Sequence, residues 1–344
     1  MTLVREAFLL GGGGQVGRAV ARRLLEDGWG VRVGTRSGQP VPGATAVVVD
    51  LTIPGDLGRA LGAGADLLLD CVCYDGEQAR QLLDVGDRVA SLVVLSSGSV
   101  YADEQGRSFD EATTPEEFPR FPVPIVEEQT TVLPGPTYST RKVAMERRLL
   151  DQDAVPVTVL RPGAIHGPHS VHAREWFFVK RALDHRPVVV LAYYGESQFH
   201  PTGVANLAQA VLASADTPGQ GVFNIVDPDC PTVLQIGRAV GALLDHQPVE
   251  VLLPGPAVAS VGDSPWGIPL PFVASTARAQ ALLRYTPVKT YDEQLADDVA
   301  WLVQATAARD WREVLHELAN DYAIDFFDYA AEQRYVSTVT GTVP

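Results

Sequence analysis

The chain has 344 residues, about two domains' worth, and 46% hydrophobic against 20% charged residues, which excludes a disordered or collagen-like chain. Its 42 acidic residues outnumber 27 basic ones, for a net charge of -15. Phosphate backbones and anionic lipid repel such a chain, and no basic run exceeds pairs such as Arg22-Arg23, so nucleic acid and membrane surfaces are not expected partners. Three cysteines cannot build a disulfide framework, and neither a signal peptide nor an apolar span of ~20 residues is seen, so a reducing, cytoplasmic setting is expected.

In chain order, the apolar run 7–10 predicts a strand that ends in glycines. Val16, Ala19, Val20 and Leu24 share one face of a helix over 15–27, with Gly28 past its end. Strands follow at 31–33, 46–49, 67–72 and 92–95, with helical stretches near 57–61 and 77–83. These strands are continuous apolar runs, as in a sheet covered on both faces, and the alternation with helices predicts parallel strands joined by right-handed crossovers. Segment 101–136 carries six prolines and the pairs Glu116-Glu117 and Glu127-Glu128, so it reads as a solvated excursion that in part closes over a site. A helix is predicted over 137–150 and a strand over 157–160; from Gly163 the chain looks irregular, with Trp176, Phe177 and Phe178 clustered. A strand over 222–226, a helix over 234–244 and an acidic, aromatic, helical tail from Trp301 complete the pattern.

Gly11, Gly14 and Gly17 recur at intervals of three between the first strand and the first helix. Glycines there let the backbone turn tightly and approach a pyrophosphate, and the helix N-terminus offers free N–H groups and a positive dipole end. A dinucleotide site is the reading. Tyr138 and Lys142 stand four apart, on one face of the predicted helix. A phenol with a pKa of ~10 beside an ammonium ion gains phenolate character and can exchange a proton closer to neutral pH. Ser97 and Ser99 follow directly on the fifth predicted strand.

The spacing Gly-x-x-Gly-x-x-Gly, the Ser-Ser-x-x-Val-Tyr element ending at Tyr101 and the Tyr-x-x-x-Lys pair resemble the extended or atypical short-chain dehydrogenase/reductases, the NAD-dependent epimerase/dehydratase family. Leu160 to Pro168 resembles the family's Arg-Pro-Gly-x-x-Tyr-Gly-Pro stretch with His166 in place of the usual Tyr, and Phe199 to Val204 keeps a family His at His200 without the two aspartates that usually follow. The likeness implies an α/β, Rossmann-type doubly wound parallel sheet with a smaller, discontinuous C-terminal substrate region. Residues 1–163 and 201–228 would form the dinucleotide domain; 164–200 and 229–344 would form the substrate region and helical tail.

The resemblance implies Ser97, Tyr138 and Lys142 as the catalytic set. It implies coenzyme contacts at Gly11, Gly14, Gln15, Val16, Gly17, Asp50, Leu51, Cys73, Pro162 and Gly163, as well as at Tyr138 and Lys142. Ser99, His166, His200 and Trp176 are the substrate candidates. Where a carboxylate after the second strand would bind the 2′-hydroxyl of NAD, this chain has Arg36, so NADP is expected, with NAD the other coenzyme open to it. The expected activity is hydride transfer at a secondary alcohol or ketone carbon of a small molecule or sugar nucleotide. A redox-neutral sugar-nucleotide epimerase and a non-catalytic NAD(P)-binding sensor remain the alternatives. Family dehydratases resemble Thr-Asp-Glu where this chain has Ser97-Gly98-Ser99, so dehydration ranks below both enzymatic readings. His166, His169 and His172, three apart, are expected to be loop histidines and not a metal site, and Cys71 and Cys73 core residues of a strand. The tail over 311–329 has two readings, a cap on this chain or a homodimer contact.

Overall fold

A computed structural model describes residues 4–219, 221–322 and 324–340. The first half alternates β1 (Glu6–Leu10), α1 (Gln15–Glu26), β2 (Gly30–Thr35), β3 (Thr45–Val48), α2 (Asp56–Leu61), β4 (Ala65–Asp70), α3 (Gly76–Leu83), β5 (Val89–Leu95), α4 (Tyr138–Leu150) and β6 (Val157–Pro162). The second half adds β7 (Ala164–His166), α5 (Trp176–Leu183), β8 (Val188–Leu191), β9 (Pro201–Gly203), α6 (Val204–Asp216), β10 (Gly221–Ile225), α7 (Val233–Leu243) and β11 (Val249–Leu252). It ends in α8 (Ala277–Leu283), α9 (Tyr291–Thr306), α10 (Trp311–Val314), α11 (His316–Asn320) and α12 (Tyr329–Thr340).

Seven strands form one parallel sheet in the order β10-β6-β5-β4-β1-β2-β3, the Rossmann-like, doubly wound arrangement. Alternate residues of each strand serve opposite faces. Ala7 and Leu9 of β1 join Val20, Leu24, Leu207 and Val211 of α1 and α6, whereas Phe8 and Leu10 join Leu57, Leu82, Met145 and Leu149 of α2, α3 and α4. Each of these fully buried Leu or Phe side chains contributes roughly 1.5–3 kcal/mol relative to exposure, so the two faces lock the sheet independently. A third cluster gathers Trp176, Phe177, Trp266, Tyr291, Leu315 and Leu318 beyond the sheet.

Several expectations change. The fourth strand stops at Asp70, short of Cys71 and Cys73, because the Asp70 carboxylate accepts the N–H groups of Val72 and Cys73 at 2.8 and 2.6 Å and turns the chain. The stretch after Gly163 is regular, holding α5, β8 and α6. In α6 nine of thirteen residues are buried, leaving no polar stripe to mark it as a helix. Segment 101–136 is no free excursion: Tyr101 and Ile125 pack with Phe272, and Ile125 exchanges backbone hydrogen bonds with Val273 and Ser275 at 2.7 and 2.9 Å. The tail is tied back, with the Glu317 and Leu318 N–H groups both 3.2 Å from the Val171 carbonyl.

Candidate active site

The chain runs outward from β1 through β2 and β3, then returns to lay β4 on the other side of β1. Such a reversal opens a crevice at the carboxyl ends of the strands, and the turn over 11–14 sits there. Gly11 has φ of 73°, and a Cβ on Gly17 would lie 2.3 Å from the Gly12 Cα. Only glycine lets α1 close on the turn this way. Gly14 caps α1 without a side-chain bond, and its first turn carries no acid, so the helix N-terminus presents its N–H groups to the crevice.

Two cavities open beside the turn. One, of 820 Å³, is lined by Gly11, Thr35, Arg36, Asp50, Leu51 and Tyr74 among others. The Asp50 carboxylate accepts the Thr52 N–H and hydroxyl at 2.9 and 2.8 Å, so it builds its own turn as well as walling the cavity. Those two bonds, with the charge of Arg36, hold its pKa below the usual carboxylate range. The other cavity, of 1020 Å³, takes in Gly14, Gln15, Ser97, Ser99, Tyr138, Pro162 and Gly163.

Around Tyr138 the hydroxyls form a chain. Ser97 caps the short turn over Gly98–Val100 by accepting the Ser99 N–H at 3.1 Å. Its Oγ donates to Ser99 Oγ at 2.9 Å, and its hydroxyl, beside the Tyr138 phenol, works to lower the phenol's pKa. Ser99 and Ser139 hydroxyls lie 2.8 Å apart, and Ser139 Oγ donates to Asp110 Oδ1 at 2.9 Å. Asp110 Oδ2 accepts the Ser139 N–H at 2.7 Å near the start of α4. A chain of exchangeable protons thus runs from Ser97, beside the phenol, to an exposed carboxylate.

Lys142, one turn along α4, is 4% exposed, and its Nζ donates to the Cys73 and Leu95 carbonyls at 2.8 and 2.9 Å. Burial draws its pKa down, against the pull of Asp70. Tyr138 is 44% exposed, and its phenol is pushed up to about 12, by desolvation first and then by Tyr74. The expectation that Lys142 lowers the phenol is therefore corrected: its ammonium is spent on two backbone carbonyls, and Ser97 is what opposes the rise. Below them, Arg161 of β6 pairs with Glu146 of α4 at 2.5 and 3.0 Å, which fixes the helix carrying Tyr138 against the sheet.

Other candidates fall elsewhere. Val16 and the Cys73 thiol are buried in the two sheet cores, so only backbone atoms of those residues reach toward the crevice. His166, His200 and Trp176, expected at the substrate, line neither cavity. His166 is 1% exposed, with Nε2 2.7 Å from Asp227 and Nδ1 3.8 Å from Glu175. Burial pulls its pKa down, but Asp227, with Glu175 and Asp298 behind it, leaves it raised, and burial beside Glu175 drives Asp298 far above the carboxylate range. His166, Glu175 and Asp298 bring one ligand atom each within 4.8 Å of one another, in a buried knot that ties β7, the start of α5 and α9 together. His169 and His172 point away from it, into the large cavity. His200 uses both ring nitrogens on backbone, the Asp227 carbonyl at 2.9 Å and the Ala274 N–H at 3.2 Å. Trp176 is 3% exposed within the aromatic cluster.

Sequence reasoning missed Ser139, Asp110, Arg174, Phe199 and the tail residues Glu313 and His316, all at or beside this cavity. Ser139 adjoins a motif residue; the others carry no local signal. Among the described residues no helix is long and apolar enough to cross a membrane.

The sequence pattern of the NAD dependent epimerase/dehydratase family matches residues 7–225. No curated protein matches the chain in sequence. Among solved structures, UDP-glucuronic acid 4-epimerase from Bacillus cereus, in complex with UDP-glucuronic acid and NAD, is 15% identical with a TM-score of 0.65, covering 87% of this chain and 99% of that one. UDP-N-acetylglucosamine 4-epimerase from Bacillus cereus is 14% identical, TM-score 0.64, over 94% and 99%. An epimerase from Methanothermobacter thermautotrophicus is 16% identical, TM-score 0.67, over 90% and 94%. At such identities the likeness is one of fold.

Proposed function

The chain belongs to the NAD dependent epimerase/dehydratase family, and from that premise we propose that it moves hydride between NADP(H) and an oxygen-bearing carbon of a small substrate. The residues fit a dinucleotide. The α1 N-terminus has uncommitted N–H groups, Gly17 leaves no room for a side chain, and Arg36 forms no ion pair among the described residues while lining the cavity beyond β2. Gly11, Gly14 and Gln15 would hold the pyrophosphate, and Arg36 with Ser37 the 2′-phosphate. Bound there, the nicotinamide supplies or accepts the hydride.

The observation that carries this reading is the hydroxyl chain from Ser97 through Ser99 and Ser139 to Asp110, with the Tyr138 phenol beside Ser97 and the buried Lys142 one turn along α4. Tyr138 Oη gives its proton to the carbonyl oxygen in reduction and takes the alcohol proton in oxidation. Ser97 Oγ holds the same oxygen and stabilises its developing charge. The phenol's proton is exchanged along the serines with Asp110, which solvent reaches. Lys142 is held rigidly between β4 and β5 by two backbone carbonyls, and its third N–H bond would serve a ribose hydroxyl.

Epimerisation is the second reading, favoured by the names of the solved neighbours, one of them in complex with UDP-glucuronic acid and NAD. Dehydration has no support: an acidic side chain at Gly98 would begin with a Cβ 2.6 Å from the Phe272 ring. Coenzyme analysis of the purified protein separates the first two. Oxidised coenzyme held through gel filtration supports epimerisation; reversible NADPH binding with net oxidation or reduction across a panel of carbonyl compounds and sugar nucleotides supports the oxidoreductase. Binding with neither reaction across that panel refutes both.

A further inference from the structure

Where β7, the start of α5 and α9 meet, three carboxylates and one imidazole are sealed in the interior: His166 and Glu175 are each 1% exposed, Asp298 0% and Asp227 2%. Asp227 is fully engaged. Its Oδ1 accepts the Gly203 N–H at 2.7 Å and the Asn206 amide at 2.8 Å, and its Oδ2 lies 2.7 Å from His166 Nε2. The other side of the imidazole is different. His166 Nδ1, Glu175 Oε2 and Asp298 Oδ1 are all buried without a hydrogen-bond partner, and one donor atom of each residue lies within 4.8 Å of the others. The bonds that the two carboxylates do make are long, 3.5 Å from the Tyr291 hydroxyl to Glu175 Oε1 and 3.3 Å from the Gly167 N–H to Asp298 Oδ2. Buried polar atoms are nearly always satisfied, so three orphans in one cluster need a common partner. Glu175 and Asp298 repel each other's charge, and two carboxylates this close stay together only when a proton or a cation joins them.

A cation accounts for more of this geometry than a proton does. A proton shared by the carboxylates would leave His166 Nδ1 facing Glu175 Oε1 at 3.8 Å, beyond hydrogen-bond range. One imidazole nitrogen with two carboxylates is a donor set for a divalent transition metal such as zinc. The Asp227 contact is its usual companion: a metal-bound histidine gives its other ring N–H to a carboxylate, which fixes the tautomer and turns the free lone pair toward the ion. A tetrahedral ion about 2.1 Å from each donor sets the donors about 3.4 Å apart, so the imidazole and Glu175 close by about 0.4 Å and the widest pair by about 1.4 Å, within reach of side-chain rotation. We propose that His166 Nδ1, Glu175 and Asp298 hold a divalent transition-metal ion, with Asp227 orienting the imidazole and a bidentate carboxylate completing the fourth position. His169 and His172 take no part, since they line the large cavity. None of the three ligands lines either cavity beside the glycine turn. The ion is therefore structural: it pins the substrate side of the chain to β7 and touches no substrate. The inference does not depend on the hydride-transfer reading.

The test is metal analysis of the full chain. Produced in zinc-supplemented medium and passed over a chelating resin, the wild type should carry about one equivalent of metal by plasma mass spectrometry. Unfolded in urea with a chelator and then refolded, it should gain about 100-fold in its folding equilibrium constant when free zinc stands at ~100 times its Kd, read as a raised urea midpoint. Glu175→Gln and Asp298→Asn should each lose the metal, Asp227→Asn should weaken its binding by about 10–100-fold, and His172→Asn should keep it. If a buried variant fails to fold, X-ray absorption of the wild type decides alone: one imidazole nitrogen with oxygen donors at about 2.0–2.2 Å supports the site, and a shell with no imidazole, with several, or with thiolate sulfur overturns it. A wild type free of metal whose urea midpoint is indifferent to zinc and to manganese overturns the proposal, as does full metal content in Glu175→Gln.

Discussion

Arg36→Asp separates a phosphate clamp from an ordinary surface arginine. Arg36 lines the 820 Å³ cavity with Thr35, Ser37 and Asp50, and forms no ion pair among the described residues, so its replacement leaves the fold intact. A guanidinium–phosphate bond belongs to the charge-assisted class, about 1.5–3 kcal/mol. Arg36 is exposed, which places its contact near the low end, about 1.4 kcal/mol or tenfold in affinity. The substitution removes this attraction and sets a carboxylate against the phosphate, next to Asp50. It also supplies an acceptor for a 2′-hydroxyl. The Kd for NADPH should therefore rise at least about tenfold, while that for NADH holds or falls. Nicotinamide fluorescence titration measures both. Raising salt from 0.1 to 1 M shortens the screening length from ~10 to ~3 Å, so the wild-type preference for NADPH should shrink with salt and that of the variant should not. Equal NADPH affinity in the two proteins, or a preference indifferent to salt, refutes the assignment.

Tyr138→Phe should slow hydride transfer by about 10²–10⁴ while coenzyme still binds, since the glycine turn and the α1 N-terminus are untouched; stopped-flow absorbance and titration read the two quantities separately. Because the phenol sits at about 12, alcohol oxidation, which needs phenolate, should climb through the alkaline range. Asp110 is one of the charges raising that value, so Asp110→Asn should start the climb at lower pH; an unmoved profile would leave Asp110 as only a cap of α4. His172 is held neutral in the fold down to about 3, whereas the unfolded chain protonates it near 6.5. Its contribution to stability is complete above 6.5 and is lost as pH falls from there toward 3. His172→Asn should flatten that part of the urea-midpoint curve, and a parallel loss in wild type and variant would contradict it.

What could be read from the sequence depended on how local its cause was. Gly11, Gly14 and Gly17 act through backbone geometry within one turn, and Tyr138 and Lys142 through one helical repeat, so their spacing survives translation into structure. The same locality misled at His166 and His200. Both sit in recognisable stretches, yet Asp227, a distant partner in sequence, takes the ring of one and the backbone carbonyl that anchors the other. No pattern around either histidine announces that partner.

The substrate side is assembled from the opposite kind of information. Asp110 comes from a proline-rich segment, Arg174 from the loop after β7, Phe272 from the chain before α8 and Glu313 from the tail, and only packing of the aromatic clusters brings them to one cavity. That division has a physical source. A coenzyme of constant shape needs constant backbone, which motifs record. A particular substrate needs a few side chains at the right places, and many folds of the connecting segments can deliver them. The serine–tyrosine–lysine set is for this reason the part of the cavity least informative about this chain's own substrate, because it would serve any oxygen-bearing carbon.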